Sequence, residues 1–153
     1  FGMLFAINSV AVNIGVQTSS RLMDRFGVGP QWILVGTTST QMGHAVIIIL
    51  DGFAGFGMWG TEIPLWFFVL CCGFAFPTQQ VLALSRHGDQ AGTAASLLGA
   101  MNFGTAGLLS PIIGLLGVGS PIPMGGVMGI SALLGAIFLW TLVRPRSVPG
   151  LLD

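Results

Sequence analysis

Residues 63–85 read IPLWFFVLCCGFAFPTQQVLALS, and this stretch decides the fold. Its 23 residues include no Asp, Glu, Lys or Arg. A helix that crosses the hydrocarbon core of a bilayer needs about 20 predominantly apolar residues. The stretch therefore predicts one membrane-spanning helix.

Three further charge-free stretches occupy residues 1–20, 26–50 and 90–143. Two of them have the length of one span, whereas the third has 54 residues and is long enough for two. Gly and Pro in its GVGSPIP segment indicate a turn. We predict a single partial transmembrane domain with helices at residues 1–20, 30–50, 63–84, 92–116 and 123–143 and a cytoplasmic tail at 144–153.

The composition of the whole chain favours the same class. Of its 153 residues, 53% are apolar and 7% are charged, against about 25% charged residues in an ordinary soluble domain. Ten charged side chains cannot cover a soluble surface, and the mean hydropathy is +0.88. The chain has no lysine, so it offers no basic patch to nucleic acid. The lipid bilayer is its predicted partner.

A transmembrane β-barrel is the other structure that a bilayer permits. Barrel strands alternate polar and apolar residues. Residues 45–50, AVIIIL, and residues 65–70, LWFFVL, do not alternate. The sequence therefore predicts an all-α integral membrane protein.

The arginines predict the orientation of the helices, because cytoplasmic connections carry an excess of basic residues. All five arginines fall on alternate connections or on the tail: Arg21, Arg25, Arg86, Arg144 and Arg146. The connection between the second and third helices carries only Asp51 and Glu62. We expect the N-terminus outside and the C-terminus in the cytoplasm. Because the chain opens at Phe1 inside a helix, we also expect it to be a C-terminal fragment.

No motif for catalysis is visible in the sequence. Cys71 and Cys72 are adjacent on one helix, where they are expected to pack rather than to bond. Metal-ligand spacings, phosphate loops and nucleophile motifs are missing. We predict that the chain is not an enzyme and needs no cofactor or metal.

Polar residues follow one face of the first helix at spacings of three and four: Ser9, Asn13, Gln17 and Ser20. Such a face can hydrogen-bond across a packed interface. It can equally line a water-filled cavity. Both interpretations remain open at this stage.

The second and third helices carry further polar or helix-breaking residues. Thr37, Gln41 and His44 share a face of the second helix, and His44 is either a proton relay or a residue satisfied by a neighbour. Pro77 is predicted to kink the third helix, as a static bend or as a moving joint.

Small residues recur in the last two helices and predict close helix packing. The set comprises Gly92, Ala95, Ser96, Gly99, Ala100, Gly104, Gly107 and Gly114 in the fourth helix, and Gly125, Gly129, Ala132 and Ala136 in the fifth.

Residues 20–27, SRLMDRFG, resemble the cytoplasmic loop between the second and third helices of each half of the major facilitator superfamily. The usual pattern is Gly-x-Leu-Ala-Asp-Arg-x-Gly-Arg-Arg. Leu22, Asp24, Arg25 and Gly27 match it, whereas Ser20, Val28 and Gly29 depart from it. The resemblance implies a cytoplasmic loop latch formed by Asp24, Arg25 and Gly27. Residues 85–93 are predicted to form a second charged loop.

Residues 91–104, AGTAASLLGAMNFG, look like the start of the eleventh helix of drug-resistance transporters of the Bcr/CflA type. Residues 1–11 are similar to the start of the eighth helix of that family. The resemblance implies that the chain comprises helices eight to twelve, a partial C-terminal half of a major facilitator fold.

The resemblance further implies part of a proton-coupled efflux pump for small hydrophobic drugs, which works by alternating access in the bacterial inner membrane as a multi-pass protein. The first, third and fourth helices would line the substrate cavity, and the second and fifth would be peripheral. The implied cavity residues are Asn13, Gln17, Phe74 and Asn102. The implied partners are the missing N-terminal half, a small hydrophobic substrate and protons. The family's proton-carrying acids lie in that half, so the fragment alone should not couple transport to protons.

Two other functions remain open. The chain can be a major facilitator carrier for another metabolite, because a fold does not fix a substrate. It can also be a non-transporting five-span subunit or scaffold that binds a partner through its glycine faces. A channel is disfavoured because no filter sequence is present.

Overall fold

The structure is a computed structural model, which describes residues 2–85, 90–116 and 119–147. It contains five long helices: α1 (Gly2–Phe26), α2 (Pro30–Ala54), α3 (Met58–Leu84), α4 (Ala91–Leu116) and α5 (Ile122–Phe138). The chain continues from α5 as a π-helical turn, Leu139–Val143, and a short 3₁₀ turn, Pro145–Ser147. The described residues include no β-strand. The predicted all-helical class is confirmed.

Three stretches are long and apolar enough to cross a membrane, namely Pro30–Ala54, Met58–Leu84 and Ile122–Ser147. They correspond to α2, α3 and the continuous helical segment that begins with α5. Membrane spans formed by α1 and α4, and the orientation of the helices, remain predictions from the sequence.

The first three helices run further than the charge-free stretches. α1 ends at Phe26 rather than at residue 20, and α2 and α3 are separated by residues 55–57 alone. Charged residues mark the end of an apolar stretch, but they do not stop a helix. Glycines with positive φ lie at the helix ends instead: Gly27, at 62°, follows α1, Gly55, at 72°, follows α2, and Gly57, at 76°, precedes α3.

This changes the position of two groups of charged residues. Asp24 and Arg25 lie in the last turn of α1 rather than in a loop. Asp51 and Glu62 lie inside α2 and α3, so the expectation that they occupy a connection is wrong.

α3 packs against both α1 and α2, and α2 also packs against α5. The contact between α1 and α3 is closest at Gly15 and Gly73. A Cβ atom on Gly15 would lie 2.9 Å from the Cα of Gly73 and would overlap the carbonyl oxygen of Leu70. Only glycine therefore permits this crossing.

The contact between α2 and α5 is also close. Ala45 and Ile48 are fully buried. A Cβ atom on Gly125 would lie 2.9 Å from Cγ1 of Ile49 and 3.0 Å from Cγ2 of Ile48. Gly125 therefore allows the close packing of α5 against α2, as the sequence predicts for the small residues of α5.

α4 differs, because it makes few contacts with α3 and α5. A Cβ atom would meet nothing within 4 Å at any of five positions on it, Gly92, Gly99, Gly104, Gly107 and Gly114. The close packing predicted for this helix is not found in the described parts of the chain. Small residues permit close approach, but a neighbouring helix must lie opposite them.

α3 is helical through Pro77. This proline has no N–H to donate to the carbonyl of Gly73. The hydroxyl of Thr78 donates to the carbonyls of Phe74, at 2.7 Å, and Ala75, at 2.9 Å. A kink at Pro77 remains a prediction.

Candidate functional site

A cavity of about 860 Å³ lies between α2, α3, α4 and α5. Its volume falls in the range of about 300–1,000 Å³ that is typical of small-molecule sites. Most of its walls are apolar, including Leu34, Phe68, Ala106, Leu109, Val127, Met128, Phe138 and Leu142.

Three amide side chains from three different helices face this cavity. They are Gln41 of α2, Gln79 of α3 and Asn102 of α4. The amide nitrogen of Gln41 donates to Sγ of Cys72, at 3.2 Å. None of the residues that line the cavity carries a formal charge. The site can therefore hold an apolar molecule with a few neutral polar groups.

The four cavity residues implied by the family resemblance do not meet in this space. Asn102 lines it, whereas Asn13, Gln17 and Phe74 do not. Asn13 and Gln17 are exposed on α1, and α1 contributes no residue to the lining. The lining of this cavity comes from α2, α3, α4 and α5. Which helices line the substrate cavity of a whole transporter remains a prediction.

The polar face of α1 forms its hydrogen bonds within the helix. Ser9, Asn13 and Ser20 each donate to the carbonyl four residues earlier, at 2.9, 2.9 and 3.0 Å. Bonds of this kind do not join two helices. In the described residues this face therefore does not act as interhelical glue.

Other polar residues of α1 make the contacts to α3. The buried hydroxyl of Ser19 donates to the carbonyl of Phe74, at 3.1 Å, and the amide of Asn8 donates to Oε1 of Glu62, at 2.7 Å. Sequence reasoning missed both residues. The signal that could have found the interface is the small-residue spacing of Ala11, Gly15 and Ser19.

Two carboxylates are buried where α2 ends and α3 begins. Asp51 is 5% exposed and Glu62 is 9% exposed. The hydroxyl of Thr61 donates to Oδ2 of Asp51, at 2.6 Å, whereas Oδ1 of Asp51 has no hydrogen-bond partner. A Cβ atom on Gly60 would overlap Oδ1, so only glycine leaves room for this carboxylate.

His44 is paired locally. Its Nδ1 lies 2.9 Å from the carbonyl of Thr40, and its ring stacks on Phe67 with 5.5 Å between centroids. These contacts favour the interpretation in which a neighbour satisfies the histidine over the proton relay.

The residues of the implied latch lie at the C-terminal end of α1. Asp24 and Arg25 are exposed, and neither forms an ion pair with any residue in the described ranges. Gly27 adopts a φ of 62°, and the N–H of Val28 donates to the carbonyl of Leu22, at 3.2 Å. The latch remains a prediction. The second charged loop falls mostly on residues 86–89, outside the described residues.

The fold and the cavity define an all-helical, multi-pass membrane protein. Over 149 residues the chain is 25% identical to "Uncharacterized MFS-type transporter YdgK" of Bacillus subtilis (strain 168), an alignment that covers 95% of the chain and 36% of that protein. Over 137 residues it is 25% identical to "Bicyclomycin resistance protein homolog" of Haemophilus influenzae, with 90% of the chain and 34% of that protein covered.

The chain thus spans about a third of the length of these curated relatives. No protein-family model matches the chain, and no solved structure matches it. Neither relative is named as an enzyme. The two names support a relationship to major facilitator transporters.

Proposed function

We propose that the chain is part of a secondary active transporter that exports small hydrophobic molecules, drugs included, across a bacterial inner membrane. The observation that carries this proposal is the cavity of about 860 Å³ with apolar walls and three convergent amides. Polar groups inside membrane segments are costly, and they commonly mark the route of a substrate.

The chemistry of the cavity suggests the class of substrate. An amide side chain both donates and accepts hydrogen bonds, so Gln41, Gln79 and Asn102 can orient carbonyl, hydroxyl or amide groups. Without a charged residue in its walls, the cavity gives little compensation for moving a full charge out of water. We therefore infer neutral, weakly polar substrates.

The packing suggests how access to the cavity can change. α4 lines the cavity but makes few contacts with its neighbours, whereas α2 is closely packed against both α3 and α5. Elements with few buried contacts open at low free-energy cost. We infer that α4 moves against the other three helices when access alternates.

The whole transporter would comprise more than this chain. The relatives are about three times as long, which supports a chain that is one part of a longer transporter. We propose that this part comprises the C-terminal helices eight to twelve. The N-terminal half would complete the cavity and carry the groups that couple transport to protons. Both statements belong to the proposal.

Export can be tested in an efflux-deficient bacterium that expresses the intact gene. A neutral fluorescent hydrophobic dye should accumulate several-fold less than in cells with an empty vector, and a proton uncoupler should remove the difference. Equal accumulation in both strains would refute the proposal.

The cavity is tested by Asn102→Ala, with Asn13→Ala as the matched control. Asn102 lines the cavity, whereas Asn13 bonds only within α1. Losing one hydrogen bond to substrate, worth about 1 kcal/mol, should reduce export about five-fold in the first variant alone. The opposite ranking would favour the α1 face as the substrate site.

The alternative is a non-transporting subunit whose α4 binds a partner helix. The unoccupied small-residue face of α4 favours it. Under this alternative no dye is exported, and Gly104→Leu disrupts a membrane complex that Gly43→Leu, on α2 where an added Cβ atom also meets nothing within 4 Å, leaves intact.

A further inference from the structure

A second cavity, here called the Glu62 pocket, has a volume of about 270 Å³. Its lining comes from α1 and the first turns of α3: Ile7, Trp59, Glu62, Ile63, Trp66 and Phe67. It shares no lining residue with the large cavity.

Glu62 lines this pocket and carries a buried carboxylate. The residue is 9% exposed, and its Oε1 accepts a hydrogen bond from Asn8. No arginine of the described ranges forms an ion pair with it. A carboxylate out of water needs a counter-charge or a proton. A cation in the pocket beside Glu62 would supply that counter-charge.

Aromatic rings form much of the remaining wall. Trp66 and Phe67 meet edge to face, with 5.2 Å between centroids and planes at 88°. The indole N–H of Trp66 donates to the carbonyl of Ile7, at 3.1 Å, which fixes the ring against α1. Aromatic faces attract cations, and aromatic cages recognise quaternary ammonium groups.

We propose that the Glu62 pocket binds a small lipophilic organic cation of the quaternary ammonium class. The carboxylate of Glu62 neutralises the charge, and the rings of Trp59, Trp66 and Phe67 contact its alkyl groups. The volume fits a ligand with one aromatic ring and lies just below the range of drug-sized sites. The two cavities then differ in chemistry, because the large one has no charge in its walls.

This proposal does not depend on transport, because binding can be measured on protein that moves nothing. The intact protein encoded by the gene is purified in detergent micelles and titrated with radiolabelled benzyltrimethylammonium. We expect saturable binding to the unaltered protein. Glu62→Gln should weaken binding about ten-fold or more, because the charge pair between the carboxylate and the ammonium group is lost.

The control variant is Asp51→Asn. Asp51 is also a buried carboxylate near this end of the helices, but it does not line the pocket. The affinity of Asp51→Asn for the probe should stay unchanged.

Glu62→Gln retains an oxygen that can accept the hydrogen bond from Asn8, so the contact between α1 and α3 is preserved. Neopentylbenzene, the neutral isostere of the probe, should not compete.

A variant that does not threaten folding gives a second measurement. Trp59 is 59% exposed, and Trp59→Leu should weaken binding a few-fold. Four results would each overturn the proposal: no binding to the unaltered protein, equal affinity in Glu62→Gln, equal competition by the neutral isostere, or unchanged affinity in Trp59→Leu.

Discussion

The contact between α1 and α3 and the surroundings of α4 differ sharply, although glycines at helical spacing occur in both. Gly15 and Gly73 meet backbone to backbone. Gly104 and Gly107 of α4 face open space among the described residues. Glycine spacing therefore indicates that a helix can be approached closely, but it does not show that another helix is there.

The hydrogen bonds differ in the same way. Asn8 and Ser19 of α1 both donate to α3, and Trp66 of α3 donates back to α1. On α4, Ser96 donates to the carbonyl of Thr93 in its own helix, at 2.9 Å. Packing of α1 on α3 is thus reinforced by polar contacts between helices, whereas among the described residues no side-chain hydrogen bond joins α4 to a neighbouring helix.

Gly15→Leu should have the largest effect. The new side chain would overlap the backbone of α3, which cannot move aside as a side chain can. We expect a loss of 3 kcal/mol or more, roughly the upper end for overpacking, seen as a lower yield and thermal midpoint in detergent. Gly104→Leu is the matched control, and equal stability of the two variants would break the comparison.

Gly125→Ala should have a moderate effect. Its Cβ atom would press on the side chains of Ile49 and Ile48, which can shift by a few tenths of an ångström. Overpacking costs about 1–3 kcal/mol and the helix preference of alanine offsets about 1 kcal/mol of it, so we expect a net loss of about 1 kcal/mol in a denaturant titration. An unchanged free energy of unfolding would mean that α2 and α5 pack less closely than the structure shows.

Ser19→Ala should cost less, about 0.6 kcal/mol, the average for a hydrogen bond between membrane helices. The carbonyl of Phe74 keeps its bond from Thr78, so the variant leaves no orphaned acceptor. Ser9→Ala, whose hydroxyl bonds within α1, is the control and should change the same titration less. The reverse ranking would place the buried interface on the other face of α1.

Gly104→Ala should be neutral or slightly stabilising. The added methyl group meets nothing within 4 Å, and alanine favours the helix by about 1 kcal/mol over glycine. A comparison of the thermal midpoints of the unaltered protein and of Gly104→Ala tests this prediction. A destabilisation as large as that of Gly125→Ala would show that a neighbour covers α4.

The number and type of the helices could be predicted from the sequence, because an apolar stretch is a local property. The helix ends could not, since Arg21, Asp51 and Glu62 border a charge-free stretch but lie inside a helix. Of the candidate cavity residues, Asn102 reaches the large cavity and Asn13 does not. Which face of a helix packs against which neighbouring helix depends on contacts between segments that are distant in sequence. A local sequence pattern does not determine these contacts.

The turn of residues 55–57 also bears on how the chain enters the membrane during synthesis. It joins two strongly apolar helices, and the hydroxyl of Thr61 reaches back to the carboxylate of Asp51. Helices linked so closely can insert as one hairpin. The carboxylate then enters the bilayer with a hydrogen-bond donor already in place, which lowers the cost of burying it.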